Sequence, residues 1–539
     1  MSDTPKQKLI ESGEIKEKPS FFARHTKLTI FATIFSCMIG VCLISWFALI
    51  HASLRLDESQ SLWQTSHSIG GTLHAVAEDV HVPLYHLILH FYQLYLGHGV
   101  VTIRLISLFF FLVTIPLVYV LGRHILSVRW SLFATIMFSF APFMDWYANE
   151  ARMYTLLALM ATISQIYFLR ILQQKKHAWK GYGISALFGA YSHYFFSFNL
   201  ATQGLFFLAN KKKFPSGSLK RFVIVAIMVA IALAPWLIYF HSLGSAKNDT
   251  PLLARPSTVD FFNAFSQFIF GFQDNHINTI LVSSWPLVVL VAFLAIRHGQ
   301  KVTTEVSYMV SAAFIPVLMA YLLSFVVTPF YLSRYMISCV APLLIVIVWL
   351  ISNYGKRLAT VAVAVILVVI TLTSIQQDKS PYTPVKEDYR GVAQTIQKEA
   401  GPQDIIVLSA PFTIYPFEYY YTGNAQIDTI PIWDRGTPGA IPPFSKKTLP
   451  AQAKQIAAYH RHLYLVLSQN QGYENTVKQY FLDHYTELSR HTYSPDLTLY
   501  VFKVGYTQVP ALGSAATIIK PAVTTTTAAT AKVTAKDVF

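Results

Sequence analysis

Apolar runs long enough to cross a bilayer recur along this chain, and a polar cluster closes each of them. Residues 28–50 form a run of about 23 mostly apolar positions, enough for one crossing. The run ends at Arg55-Leu56-Asp57-Glu58-Ser59-Gln60-Ser61-Leu62-Trp63, where two carboxylates stand side by side. From 59 to 99 the pattern becomes amphipathic, because His67, His74, Glu78, Asp79, His81, His86, His90 and His98 interrupt every stretch of crossing length. This predicts helices lying on the membrane surface and excludes 81–97 as a span. Uniformly apolar runs return at about 103–122, 130–145, 152–171, 220–241, 280–296, 305–327, 335–353 and 358–375.

The stretch 181–210 decides the topology. As one helix of about 30 residues it would be roughly 45 Å long, and it would carry Lys211-Lys212-Lys213 and Lys220-Arg221 to the outer side, against the tendency of short cytoplasmic loops to collect Lys and Arg. Tyr191-Ser192-His193-Tyr194 is a polar break at its middle. Two short helices that rise to the outer face and return keep the lysine cluster inside. The expectation is about 11 transmembrane helices with amphipathic surface helices, and with roughly 20 basic residues inside against about six outside.

Beyond 378 the pattern is that of a soluble domain. Tyr389-Arg390-Gly391-Val392-Ala393-Gln394-Thr395-Ile396 reads as a helix, and Asp404-Ile405-Ile406-Val407-Leu408, His462-Leu463-Tyr464-Leu465-Val466-Leu467 and Leu497-Thr498-Leu499-Tyr500-Val501-Phe502 read as strands. The division is therefore a cytoplasmic segment at 1–27, a transmembrane domain at 28–377, a small extracytoplasmic α/β domain at 378–507 and a low-complexity tail at 508–539, expected to be disordered. The polar opening is too long and mixed for a signal peptide, so 28–50 is read as a retained helix.

Composition agrees with a polytopic membrane protein: of 539 residues 53 % are hydrophobic and only 13 % charged. The net charge of +15 lies in short clusters between apolar runs, which argues against nucleic acid as a partner. Cys37, Cys42 and Cys339 all fall within expected spans, without metal-ligand spacing or a disulfide framework.

With this topology Asp57, Glu58, His81, His86, Arg104, Asp145, Glu150, Arg152, His193, Arg334 and Tyr335 gather on the outer side. Carboxylates serve a reaction in which a hydroxyl loses a proton, and arginines one in which a phosphate is held or released. Together they suggest group transfer from a membrane-anchored phosphate. Glu150 is a second acid beside Asp57, with Arg152 either pairing with it or binding phosphate. Arg104 and Arg334-Tyr335 read as a phosphate clamp or as arginines snorkelling to the interface. His193 either binds substrate or stabilises the helix break. His81 and His86 are either polar positions of a surface helix or ligands, and an Asp–Glu–His set could hold Mg²⁺ or Mn²⁺.

Six stretches resemble the GT-C type glycosyltransferases that use lipid-linked sugars, in particular their protein O-mannosyltransferase-like and aminoarabinose-transferase-like branch, glycosyltransferase family 39: Leu56-Asp57-Glu58-Ser59, His81-Val82-Pro83-Leu84-Tyr85-His86, Arg104-Leu105-Ile106-Ser107, Asn149-Glu150-Ala151-Arg152-Met153-Tyr154, Tyr191-Ser192-His193-Tyr194-Phe195 and Ser333-Arg334-Tyr335. Val82-Pro83 stands where that family usually has two prolines. The resemblance implies a polyprenyl-phosphate sugar donor, an acceptor hydroxyl on a glycan, lipid or protein, inversion at the anomeric carbon, Asp57 as general base and Glu58 orienting the acceptor or the loop. It places Tyr85, His81, His86 and His193 among the substrate-binding positions and requires no metal. Two other readings compete. A lipid-linked-sugar flippase would line both halves of a pathway with charge, whereas these polar residues collect on one face. A sensor built on the outer domain leaves Asp57, Glu150 and Arg152 unexplained.

Overall fold

The computed structural model describes residues 21–79, 81–243, 253–286, 288–290, 294, 302–380, 384–435 and 441–505. Most of the expected N-terminal segment, part of the span at 280–296 and the expected tail lie outside these residues. From Phe21 to Lys379 the elements among the described residues are helical: α1 (Phe21–His51), α2 (Leu56–Thr65), α3 (Ile69–Glu78), α4 (Leu84–Leu96), α5 (Val100–Gly122), α6 (Val128–Ser139), α7 (Pro142–Ala148), α8 (Tyr154–Leu172), α9 (Ala178–Ser192), α10 (Phe196–Ala209), α11 (Ser218–Ser242), α12 (Thr258–Phe270), α13 (Asn275–Ser283), α14 (Thr304–Val326), a 3₁₀ segment (Ser333–Cys339) running into α15 (Val340–Ser352), and α16 (Lys356–Lys379).

Among the described residues seven helices are long and apolar enough to cross a bilayer: Thr26–His51, Val100–Gly122, Tyr154–Leu172, Ser218–Ser242, Thr304–Val326, Ser333–Ser352 and Lys356–Lys379. Their outward stripes are apolar, as on α16, where Val361, Val365, Val368 and Leu372 are all exposed. Such faces suit a hydrocarbon solvent, and the chain is a membrane protein. The other expected crossings fall on shorter pieces. The run at 130–145 is broken after Phe140, with Pro142 opening α7. The stretch 181–210 is divided into α9 and α10, as its polar centre suggests. Helices of 12 to 15 residues reach only about 18–23 Å, less than the roughly 30 Å of a hydrocarbon core.

At the division His193 is fully extended (φ −166°, ψ 140°), and Phe195 N–H donates to its Nδ1 at 3.2 Å. Gly189 permits the return: a Cβ there would lie 2.3 Å from the Phe196 ring. Helices α2, α3 and α4, which follow α1 and precede α5 in the chain, pack on one another as an amphipathic layer. Along α4, Tyr85, His86, Leu89, His90 and Gln93 are buried, while Phe91, Leu94, Tyr95 and Leu96 are exposed.

The C-terminal domain contains α17 (Tyr389–Glu399), β1 (Ile405–Ser409), α18 (Ile414–Tyr420), β2 (Gln426–Thr429), α19 (Leu449–Ala457), β3 (His462–Ser468), α20 (Glu474–His484), β4 (Thr486–Ser494) and β5 (Leu497–Lys503). The sheet runs β2-β1-β3-β5-β4, with β2, β1 and β3 parallel and β5 and β4 antiparallel. Alternate residues of β1 serve two cores. Ile406 and Leu408 pack with α17 and α18, and Ile405 and Val407 pack with α19 and α20.

This domain is fastened to the loop that precedes α2 and to the loop between α4 and α5. Ser53 Oγ donates to Asp388 Oδ1 at 3.0 Å, Leu54 N–H donates to Tyr420 Oη at 2.7 Å, and Tyr419 Oη donates to the His98 carbonyl at 2.9 Å.

Candidate active site

Asp57 and Glu58 lie in the first turn of α2, where the helix dipole favours negative charge. Their side chains enter different surroundings. Glu58 is fully buried and accepts four hydrogen bonds: Arg104 Nε at 2.7 Å and Ala151 N–H at 2.8 Å on Oε1, and Arg104 Nη2 at 2.6 Å and Arg55 N–H at 2.9 Å on Oε2. Arg104 also donates to the carbonyls of Ala52 (3.2 Å) and Ser53 (2.8 Å). Burial alone would raise the Glu58 carboxyl; the charge and hydrogen bonds of Arg104, helped by Arg55, hold it below the ordinary carboxylate range.

This geometry corrects the reading of Arg104 as part of a phosphate clamp. Its side chain is 0 % exposed, and Nε, Nη1 and Nη2 all donate within the chain. The pair ties α5, the α1–α2 loop and the start of the 151–153 turn together.

Asp57 faces the open side. Its Oδ2 lies 3.2 Å from Arg334 Nη1, with the two side chains 29 % and 33 % exposed. Arg152 approaches from below and donates to the Asp57 carbonyl (3.2 Å), Ser61 Oγ (2.7 Å) and His81 Nε2 (3.0 Å). A guanidinium only donates, so His81 Nε2 is the acceptor and its proton sits on Nδ1. Burial and then Arg152 push the His81 imidazole down to about 3, which keeps it neutral. Burial would also raise Asp57, but Arg334 and Arg152 outweigh it and hold the carboxyl below its usual range. The balance is the opposite of what desolvation alone would produce.

Glu150 pairs with Arg55, Oε2 to Nη1 at 3.6 Å, and not with Arg152. The Arg55 guanidinium lies 3.3 Å from the centre of the Trp146 ring. Burial pushes the Glu150 carboxyl up to about 7, with Arg55 opposing and the Asp57 and Glu58 charges adding.

Tyr85 is fully buried, with Oη 3.1 Å from Ser107 Oγ, which donates to the Arg152 carbonyl at 3.1 Å. It supports the Arg152 turn from behind and is not open to substrate. His86 is likewise fully buried, stacked on His81 with ring centres 5.7 Å apart. His193 is 5 % exposed. Because its Nδ1 accepts the Phe195 N–H, Nε2 carries the proton, and this N–H has no partner among the described residues. The two roles considered for His193 are thus compatible, one nitrogen serving the break and the other left free. Tyr335 stacks on Phe195 at 4.4 Å and lies 5.4 Å from His193. The Arg334 guanidinium sits over Tyr335 and Tyr154, at 5.5 and 5.9 Å.

Ser61, Asp79 and Arg55 join the site without having been given a role from sequence. Ser61 follows Asp57 by four positions, the spacing of one helix face, which was a usable signal. Asp79 is held by Gln64 Nε2 at 2.8 Å, and burial raises its carboxyl to about 6. Among the described residues no group of three or more His, Cys, Asp and Glu is arranged to hold a metal ion. The Asp–Glu–His set considered for Mg²⁺ or Mn²⁺ does not converge: Glu58 is turned onto Arg104 and Asp57 faces two guanidinium groups, which disfavour a cation.

The fold is that of the GT-C type membrane glycosyltransferases. The model superposes on ArnT from Cupriavidus metallidurans in the apo state with a TM-score of 0.54 at 10 % identity, over 86 % of this chain and 97 % of that one. The form of ArnT bound to undecaprenyl phosphate gives 0.51 at 12 % identity, over the same 86 % and 97 %. The apo oligosaccharyltransferase of Archaeoglobus fulgidus gives 0.47 at 10 % identity, over 89 % of this chain and 75 % of that one. No protein-family model and no curated protein matches the chain.

Proposed function

We propose that this protein is an inverting glycosyltransferase that moves a sugar from a polyprenyl phosphate to a hydroxyl on an extracytoplasmic glycan, lipid or protein. The observation that carries the reading is the Asp57 carboxylate set against the Arg334 guanidinium, with Arg152 held beside it on the Asp57 backbone carbonyl. The likeness to ArnT, one form of which binds undecaprenyl phosphate, supports the choice of donor.

In this reading Asp57 takes the acceptor proton as the acceptor oxygen attacks the anomeric carbon. The bond from that carbon to the phosphate oxygen breaks on the opposite side, which inverts the centre. The electron pair leaves with the lipid phosphate, which gains one negative charge. Arg334 and Arg152 receive that charge, and the Nε2–H of His193 is a third, neutral donor. The ring faces of Tyr335 and Tyr154 flank Arg334. Glu58 and Arg104 position the turn that carries Asp57, and they do not touch substrate. The isoprenoid chain stays in the bilayer, since withdrawing it costs about 0.8 kcal/mol per CH₂.

The test is Asp57→Asn. Asn keeps the shape of Asp and cannot accept the proton, so transfer from a radiolabelled polyprenyl-phosphate sugar should fall ~10²–10⁴-fold while the donor is still retained. Wild-type transfer by Asp57→Asn would move the base assignment to Glu150, to be tried by Glu150→Gln.

A further inference from the structure

The two arginines beside Asp57 are held in different ways. Arg152 is fixed through three contacts, to the Asp57 carbonyl, Ser61 Oγ and His81 Nε2, and each remains in place whatever the Asp57 carboxylate does. For Arg334 the only hydrogen bond recorded among the described residues is the one to Asp57 Oδ2. Its Nε is buried without a hydrogen-bond partner among the described residues, and its guanidinium lies over the faces of Tyr154 and Tyr335. Arg334 can therefore leave Asp57 by turning about its own side chain, without breaking any other bond described here.

A phosphate arriving between Arg152 and Arg334 meets a guanidinium already engaged by Asp57. A single-bonded, partly exposed ion pair is weak, whereas a charge-assisted bond to phosphate is strong and can be two-pronged across Nη1 and Nη2. The exchange runs in favour of the phosphate, and it also changes Asp57. Once Arg334 has turned away, the carboxylate loses the largest of the opposing charges that stabilise its ionised form and becomes a stronger base.

We propose that the Asp57–Arg334 pair is a latch opened by the donor: the phosphodiester of a polyprenyl-phosphate sugar takes Arg334 from Asp57, and only then is Asp57 free to accept the acceptor proton. The inference rests on the donor reading above and adds an order to it, donor before acceptor. Charge is conserved through the step. A singly charged phosphodiester and a carboxylate become a doubly charged phosphomonoester and a neutral carboxylic acid. The added charge on the leaving phosphate keeps Arg334 away from Asp57 while the product remains. When the lipid phosphate departs and Asp57 loses its proton, the pair re-forms and the base is again shielded.

The experiment measures binding of undecaprenyl phosphate to the full chain in nanodiscs by native mass spectrometry, for wild type, Asp57→Asn, Arg334→Ala and the double variant. Asp57→Ala serves as a second probe of the same position should Asp57→Asn fold poorly. If Asp57 competes for Arg334, Asp57→Asn lowers Kd by roughly threefold to tenfold, Arg334→Ala raises it, and the double variant binds as weakly as Arg334→Ala. Two results overturn the latch: no tightening in either Asp57 variant, or the same tightening without Arg334, which would mean simple repulsion between carboxylate and phosphate. Failure of wild type and every variant to bind undecaprenyl phosphate would remove the donor reading itself, and so is distinguishable from failure of the latch.

Discussion

Consecutive residues of an α-helix point about 100° apart, which is why Asp57 and Glu58 can differ so much while sharing one helical turn. Glu58 turns inward to a guanidinium and two backbone N–H groups, and Asp57 turns to the open side, where Arg334 can leave. Burying an ion pair is justified energetically only when nearly every lone pair and proton is used, as at Glu58. Removing one partner strands the other. Arg104→Ala should therefore cost about 3–5 kcal/mol of stability, read as a fall in the unfolding midpoint in detergent. Replacing Glu58 and Arg104 together by leucine should recover part of it, and a single variant as stable as wild type would contradict the structural role. Glu150 makes a different prediction. A carboxyl whose folded pKa is raised keeps a proton that the unfolded chain has lost, so its contribution to stability declines as pH rises from the ordinary Glu value of about 4.3 to about 7, then levels off. Glu150→Gln removes that slope. The difference in unfolding midpoint between variant and wild type should grow between about pH 5 and about pH 7; parallel curves would show that Glu150 does not titrate there. Asp57 and Glu58, both held low, contribute in the opposite sense: their stabilisation is present above the ordinary carboxylate range and is lost as pH falls through their folded values.

At the scale of elements, what could be read in advance follows from how local each signal is. Long apolar runs define α1, α5, α8, α11, α14, α15 and α16 because the hydrocarbon solvent leaves no other use for them. The break at His193 was readable from one polar cluster and the sign of the next loop, and the structure adds its cause: an extended residue, a ring nitrogen capping the start of the return, and Gly189 making room for Phe196. The apolar strands β1, β3 and β5 were legible as β-branched and aromatic runs. The strands β2 (Gln-Ile-Asp-Thr) and β4 (Thr-Glu-Leu-Ser-Arg-His-Thr-Tyr-Ser) are edge strands with mostly polar sequences, and such strands carry little periodic signal because one side of their ladder faces solvent. The candidate site was legible as a set of residues but not as a set of pairs. Arg104, Arg152 and Arg334 are equivalent in sequence terms, each an arginine at the mouth of a helix. What separates them is the company brought from distant segments: a buried carboxylate and two carbonyls for Arg104, a backbone oxygen, a serine and a neutral histidine for Arg152, a half-exposed carboxylate for Arg334. Arg55, set against Trp146 and Glu150, escaped notice for the same reason.

For the whole molecule, the reading requires that the site and the C-terminal domain share one side of the membrane and that this side be extracytoplasmic. The contacts of Ser53 and Leu54 with Asp388 and Tyr420 join the domain to the loop leading into the helix that bears Asp57, and that of Tyr419 with His98 joins it to the α4–α5 loop, so the site and the domain face the same compartment. Which compartment that is rests on charge: Lys211, Lys212 and Lys213, beyond the return helix α10, should lie inside. Cysteine labelling in intact cells tests this, provided the sites chosen are open. Ser59 and Ser192 are buried and unsuited to it, whereas Ser68, Ser197 and Lys212 are exposed. In a background where Cys37, Cys42 and Cys339 are serine, Ser68→Cys and Ser197→Cys should react with an impermeant maleimide added outside, and Lys212→Cys only after the membrane is opened. Ser197 is the decisive position, because it lies in the first turn of α10, directly after the break between the two short helices. If Ser197→Cys were labelled only from the cytoplasmic side while Ser68→Cys was labelled from outside, the half-site around His193 could not meet Asp57 in one compartment. If instead all three reversed together, the fold would stand and its orientation would be inverted, with the acceptor then drawn from the cytoplasm.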